Sequence, residues 1–243
     1  MKVIVNGIDG AMGSILARII READDMEIAA GITPTGFEGA YLKPQDYQGE
    51  ADIVIDFSHH EGTETLMDYC VQRQLPVVVC TTGQTEAEME YIRKASEQIP
   101  VFKSANMSVG VALTARIVKE VAAKFGGCDI EIVETHHTRK LDAPSGTAIM
   151  LADAARESRP ELHYNLGRSG NAKREPEEIG INAVRRGNVV GTHEVMFGTA
   201  NQTITITHEA HDRALFADGA VAAARFLFGK PAGFYNMEDL LSE

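Results

Sequence analysis

The sequence predicts an α/β chain: a doubly wound parallel sheet, followed by a second, α+β unit with an open mixed sheet. Three observations carry this. From residue 1 to about residue 106, short β-rich runs alternate with helix-length stretches, the pattern that places parallel strands beside crossover helices. A glycine-rich turn separates the first strand from the first helix. After residue 106 the alternation stops, and the later runs show period-two hydrophobicity, as in a sheet with one covered face.

The elements follow in order. Residues 2–6 are a strand and 14–22 an apolar-periodic helix; 26–30 read as the second strand. Residues 51–57 are the third strand, followed by a helix over 61–73. The fourth strand covers 76–80, and a helix over 85–98 begins at Thr85, an N-cap residue with acids in the turn behind it. Residues 100–103 close this series. One long helix over 108–125 ends at Gly126 and Gly127, where glycine can take the left-handed cap conformation. A strand over 129–134 and a helix over 145–157 come next. The stretch 162–178 is polar and rich in Gly, Arg and Glu, and is expected to be a mobile loop. Strands over 181–186, 191–197 and 203–208 follow, and the helix over 214–228 is apolar enough to return to the first unit.

Composition narrows the function. Of 243 residues, 44% are hydrophobic and 24% charged, which fits a folded globular protein and excludes a disordered one. Lys and Arg number 23 against 35 Asp and Glu, a net charge of −12. With no basic run, nucleic acid and anionic membrane are poor partners. An anionic small molecule needs a local basic island instead. No apolar run approaches the roughly 20 residues that span a bilayer, and the first residues do not read as a signal peptide. Cys70, Cys80 and Cys128 are widely spaced, so neither a disulfide framework nor a zinc site is indicated. A cytoplasmic protein is expected.

Gly7-Ile8-Asp9-Gly10-Ala11-Met12-Gly13 joins the first strand to the first helix. A dinucleotide site needs glycine there for a tight turn, for close approach of the backbone to a pyrophosphate, and for close packing of helix on strand. The helix start then offers N–H groups and the positive end of its dipole to the phosphates. The spacing is G-x-x-G-x-x-G rather than the commoner G-x-G-x-x-G, so its place in a βαβ series gives it meaning. The residue that reads the ribose is expected about 20 residues on, at the end of the second strand. Gly31-Ile32-Thr33-Pro34-Thr35-Gly36 stands there, with no acid for a 2′-hydroxyl and no Arg or Lys for a 2′-phosphate. Thr33 and Thr35 can bond either, so NADH and NADPH both stay open.

The densest chemistry lies in residues 131–148. His136, His137, Arg139 and Lys140 fall within five positions at the end of a strand in an acidic chain, which is the basic island the net charge requires. Pro144-Ser145-Gly146-Thr147 then leads into a helix whose start suits a carboxylate. Alone, adjacent histidines are ordinary surface residues and Pro-Ser-Gly-Thr an ordinary cap. Together they suggest a small di- or polycarboxylate, with a histidine able to move a proton near neutral pH and a lysine able to donate one or offset negative charge. No third ligand stands at a metal-binding spacing, so no metal is expected.

At these residues the sequence resembles the dihydrodipicolinate reductase (4-hydroxy-tetrahydrodipicolinate reductase) family of the bacterial diaminopimelate–lysine pathway. The resemblance covers nearly the whole chain. It rests on residues 7–13, Asp56-Phe57-Ser58 with Glu61-Gly62-Thr63, Thr81-Thr82-Gly83, residues 105–111 and, most specifically, 131–148; Phe234-Tyr235-Asn236-Met237 is similar to the family's closing segment. It implies a dinucleotide-binding domain of the Rossmann type over 1–106 with 215–243, and a substrate-binding and oligomerisation domain over 107–214. It also implies hydride transfer from NADPH or NADH to a small cyclic dicarboxylate, usually by a homotetramer. By match to the motif, His136 and Lys140 take the catalytic positions, and His137, Gly146 and Thr147 the substrate-binding ones. The cofactor-contacting positions fall on Gly7, Ile8, Asp9, Gly10, Ala11 and Met12, on Cys80, Thr81 and Thr82, and on Ser104, Ala105, Asn106 and Met107; Thr33 joins them from the ribose argument above. The chain departs from the family at Ala11, usually Arg or Lys, and at Pro34, where an Arg often helps hold a 2′-phosphate. Both departures weaken a strict preference for NADPH. Cys80 replaces a more usual glycine, and Met107 an aromatic residue.

Overall fold

In chain order the elements are β1 (Lys2–Asn6), α1 (Ala11–Glu22), β2 (Glu27–Ile32), β3 (Ile53–Asp56), α2 (Thr63–Arg73), β4 (Val77–Val79), α3 (Glu86–Ser96), β5 (Pro100–Lys103) and α4 (Val109–Lys124). They continue with β6 (Asp129–His136), α5 (Gly146–Ser158), β7 (His163–Leu166), β8 (Glu178–Arg185), β9 (Gly191–Gly198), β10 (Thr203–Ala210), α6 (Ala214–Leu227), β11 (Gly233–Tyr235) and α7 (Met237–Leu240). This computed structural model describes residues 1–243. They fall into two units, Met1–Val109 with Ala214–Glu243, and Gly110–Arg213.

The first unit holds a six-stranded sheet in the order β11-β5-β4-β3-β1-β2, parallel at every pairing. Val3, Val5, Ile53, Val54, Ile55, Val77 and Val78 are wholly buried, as expected of continuous apolar strands covered on both faces. Leu16, Ala17 and Ile20 make the buried stripe of α1. α3 opens with a reciprocal capping box between Thr85 and Glu88, so the sequence's start signal at Thr85 is used as such. The alanine-rich α6 buries Ala217, Ala220, Ala223, Ala224 and Leu227 and packs on α1, β4 and β5, the return to the first unit that its composition predicts. From β1 the chain runs outward to β2 and then crosses back to β3 on the other side of β1. That reversal opens a crevice at the carboxyl ends of β1 and β3, where ligands of open α/β sheets bind.

The second unit is built on a five-stranded mixed sheet, β10-β9-β6-β8-β7. β9 is antiparallel to both neighbours, while β6, β8 and β7 run parallel. β9, and β6 after its exposed first residue Asp129, alternate between buried and half-exposed residues. Ile130, Ile132, Val195 and Phe197 from this sheet form one core with Ala148, Leu151, Ala152 and Ala155 of α5 and Val118 and Ala122 of α4.

The expected loop over 162–178 is corrected: it contains β7, and β8 already starts at Glu178. β7 is an edge strand with no buried residue, so it has no alternating apolar signature and is held by backbone pairing to β8. β2 also extends to Ile32, and α1 starts at Ala11 rather than Ser14. No helix is long and apolar enough to cross a membrane, and all three cysteines are buried and unpaired.

Candidate active site

Two groups of side chains are candidates for the chemistry, one in each unit. In the first unit, the turn after β1 needs glycine on spatial grounds. Gly7 has φ +81°, and a Cβ there would lie 2.5 Å from the Phe57 carbonyl oxygen; a Cβ on Gly13 would lie 1.9 Å from that of Gly7. Gly10 is the N-cap of α1, and no side chain caps that helix start. The cleft in front of it, about 600 Å³, is lined by Ala11 and Met12, by Phe57, Ser58 and His59 after β3, and by Cys80, Thr81 and Thr82 after β4. Ser104, Ala105, Asn106 and Met107 after β5, with Phe216, complete it.

Thus nine of the expected cofactor positions line one cleft. Gly7, Ile8, Asp9, Gly10 and Thr33 do not. Gly7 shapes the turn, Gly10 caps the helix, and Ile8 fills the space beside Gly31, where a Cβ would meet its Cδ1 at 2.5 Å. Below the cleft, buried Asp56 fixes three groups. Its Oδ1 accepts from Ser58 Oγ at 2.6 Å and Asn6 Nδ2 at 2.9 Å, and its Oδ2 accepts from Thr81 Oγ1 at 2.7 Å. Lys103 Nζ donates to the Thr81 carbonyl at 2.9 Å, and burial holds its pKa below the ordinary lysine value.

At the end of β2 the fold supplies what the local sequence lacks. Thr35 Oγ1 donates to Asp9 Oδ2 at 2.6 Å, and Thr33 Oγ1 lies 3.3 Å from Thr35 Oγ1. Hydrogen bonding by Thr33 and Thr35 holds the Asp9 carboxyl below the usual aspartate range.

In the second unit, the inward face of β6 changes from Ile130 and Ile132 to Glu134 and His136 at its carboxyl end. Glu134 is wholly buried. Its Oε2 bonds His136 Nδ1 at 2.5 Å and Arg185 at 2.8 Å; its Oε1 accepts from Arg185 at 2.8 Å and from the Ser145 N–H at 3.0 Å. Burial pushes this carboxyl upward, but the hydrogen bonds from Arg185, His136 and Ser145 outweigh it and hold the pKa below the ordinary glutamate value. The contact also fixes the imidazole: with Glu134 ionised, Nδ1 carries the proton and Nε2 is left for other partners. Gly191 makes room beside that nitrogen, since a Cβ there would lie 2.9 Å from it.

The start of α5 adjoins this network. Ser145 Oγ accepts from the Ala148 N–H and lies 3.0 Å from His193 Nε2. Two amides of the predicted anion site, those of Ser145 and Ala148, are therefore already bonded within the protein. Gly146 is exposed, and a Cβ on it would meet nothing within 4 Å. His193 packs edge-on against His136, with ring centroids 5.1 Å apart; burial, and then His136, pull its pKa down to about 4. His137 is half-buried, and burial with Arg139 and Arg213 lowers its pKa. Lys140 Nζ pairs with Asp142 Oδ1 at 2.9 Å.

Comparison with known proteins gives the family of the chain. A family model described as dihydrodipicolinate reductase, N-terminus, matches residues 1–107, and one described as dihydrodipicolinate reductase, C-terminus, matches 110–241. The chain belongs to the dihydrodipicolinate reductase family. It is 44% identical over 248 residues to 4-hydroxy-tetrahydrodipicolinate reductase of Caldanaerobacter subterraneus subsp. tengcongensis, covering 100% of this chain and 99% of that one. It is 40% identical to the protein of the same name from Clostridium tetani, with 100% and 97% covered. A solved dihydrodipicolinate reductase from Paenisporosarcina sp. TG-14, bound to dipicolinate, shares the fold with a TM-score of 0.82 at 22% identity, covering 97% of each chain.

Within this reductase fold, Glu134, Arg185 and His193 in the second unit, with His59 and Phe216 in the cleft of the first, are candidate site residues that the sequence alone does not single out. One signal for Glu134 and His193 exists: each occupies a register position of an alternating strand where an apolar residue is expected. Arg185 and Phe216 have none, because they arrive from distant segments.

Proposed function

We propose that the chain reduces 4-hydroxy-tetrahydrodipicolinate to tetrahydrodipicolinate with NADH or NADPH, in diaminopimelate and lysine biosynthesis. The observation that carries this reading is the Glu134–His136 pair beside the start of α5, in a chain of this family. The first unit's residues fit a dinucleotide: the cradle at Gly7 and Gly13 leaves no room for a Cβ, and the uncapped start of α1 faces the cleft. Ala11, Met12, Thr81, Thr82, Asn106 and Met107 would hold it. When bound, its nicotinamide supplies a hydride.

The chain's own residues have two tasks. Gly146, Thr147 and His137, with Lys140 as the cation, bind and orient the substrate's carboxylates. The substrate's 4-hydroxyl leaves as water, giving a ring imine conjugated with a carbon–carbon double bond. Once hydride has added to that conjugated carbon, His136 or Lys140 delivers a proton to the electron density left on the ring nitrogen. Glu134 holds His136 Nδ1 and the Ser145 N–H together, so the proton donor and the carboxylate site keep one geometry. Unit 1 serves as the nucleotide domain and unit 2 as the substrate and assembly domain. The exposed Val184 and Ile204 on unit 2's sheet support assembly, as the homotetramer the resemblance implies. Three unpaired cysteines support a reducing compartment, the cytoplasm.

The test generates the substrate in situ from pyruvate and aspartate semialdehyde with the preceding synthase, then follows oxidation of NADH and NADPH. Oxidation that requires both the synthase and this protein is the expected result. Absence of oxidation by protein that binds the nucleotide would overturn the reading, leaving a dehydrogenase of another substrate or a sensor without turnover. Light scattering of the purified chain tests the tetramer.

A further inference from the structure

The end of β2 carries no acidic residue in its own segment, yet Asp9 reaches it from the glycine-rich turn. The three oxygens of Asp9, Thr35 and Thr33 form a chain, 2.6 and 3.3 Å between neighbours, on backbone that is itself pinned. Gly7 N–H donates to the Ile32 carbonyl at 2.8 Å, Thr33 N–H to that of Tyr41 at 2.8 Å, and Tyr41 N–H to that of Gly31 at 2.9 Å. The exposed carboxylate therefore stands where dinucleotide folds read the substituent on the adenosine ribose. No cation offsets it: residues 7–13 and 29–42 contain no Lys or Arg, and Glu38 is the one other charge in those segments.

We propose that Asp9 selects NADH over NADPH, its carboxylate accepting the ribose 2′-hydroxyl and repelling a 2′-phosphate. The inference rests on the reading of the first unit's cleft as a dinucleotide site. A hydroxyl donates to a carboxylate in a charge-assisted bond. A phosphate monoester carries about −1.5 to −2 charges near neutral pH and brings acceptors only, so it meets Asp9 with like charge and no shared proton. Thr33 and Thr35 do not relieve this, because their hydroxyls already serve one another and Asp9.

The experiment is calorimetric titration of the full-length protein with NADH and with NADPH, without substrate. NADH is expected to bind at least about tenfold tighter at low salt, with the gap narrowing as salt screens the repulsion. Asp9→Asn is expected to close most of the gap by raising NADPH affinity, and Asp9→Asn with Pro34→Arg to invert it. Equal affinity of the wild type for both nucleotides would overturn the inference alone. So would an Asp9→Asn variant that loses both in the same proportion, the signature of a merely structural residue. A protein that binds neither nucleotide would remove the cleft reading, and this inference with it.

Discussion

Replacing Glu134 with glutamine deletes one negative charge where the fold has gathered donors only. Glu134 is wholly buried, and the Arg185 side chain that grips both its oxygens is 19% exposed. A glutamine of the same size keeps one acceptor oxygen, but its amide group faces either an Arg185 nitrogen or the His136 Nδ1–H, donor against donor. Removing one partner of a buried ion pair costs about 3–5 kcal/mol, and the shape-conserving change is expected at the low end. At roughly 2–4 °C per kcal/mol for a chain of this length, 3 kcal/mol lowers the melting temperature by about 6–12 °C. The assay is denaturant and thermal unfolding of wild type, Glu134→Gln, Arg185→Met and the double variant. Because the two side chains share a bidentate contact, the double variant should recover about 2 kcal/mol relative to the sum of the singles. Additivity within about 0.5 kcal/mol, or a Glu134→Gln protein that melts with the wild type, would refute the claim that this carboxylate neutralises Arg185. The pH dependence has a definite sign. A carboxyl whose folded pKa lies below its unfolded value stabilises fully above the latter, about pH 4.3, and loses that contribution as pH falls through the folded value. Glu134→Gln should lack this part of the acid limb.

Three further perturbations follow. His193 drops from 6.5 to about 4 on folding, so the unfolded chain binds more protons between those values and stability falls as pH drops through that window, by of order 3 kcal/mol; His193→Gln should flatten the slope, and an unchanged slope would place the proton uptake elsewhere. Gly13→Ala would put a Cβ 1.9 Å from the Gly7 carbonyl oxygen, expected to cost about 1–3 kcal/mol and to weaken NADH binding, with wild-type melting and affinity as the contrary result. Lys140→Ala should lower kcat by about a hundredfold or more while calorimetric NADH affinity holds; near-normal turnover would remove Lys140 from the chemistry.

How legible the molecule was in its sequence depended on whether a signal was local. β1, β3 and β4 were readable because a strand buried on both faces must be continuously apolar, and Thr85 because a capping box is contained within four residues. β7 was not, since an edge strand with half-exposed residues needs only a backbone partner. The site divides in the same way. Residues 131–148 could be found because the strand end, the cations and the helix start are contiguous. Asp9 meeting Thr35 is a contact across 26 positions, and Arg185 reaches Glu134 across 51; only the folded sheet makes them neighbours. Asp9 was legible as a member of the glycine turn; its meeting with Thr35 at the end of β2 was not.

The split make-up of the first unit bears on how the chain is made in the cell. α6 and β11, which cover and extend the sheet begun at residue 2, leave the ribosome only after the whole of Gly110–Arg213 has been synthesised. At about 5–20 residues per second, the early strands wait roughly 5–20 s for the helix that shields them. During that interval the faces of β4 and β5 that α6 later covers are open to water and to other nascent chains, while Gly110–Arg213, continuous in sequence, can close first. A chain truncated before residue 214 is therefore expected to carry a finished second unit tethered to an unfinished sheet, the form a chaperone would meet.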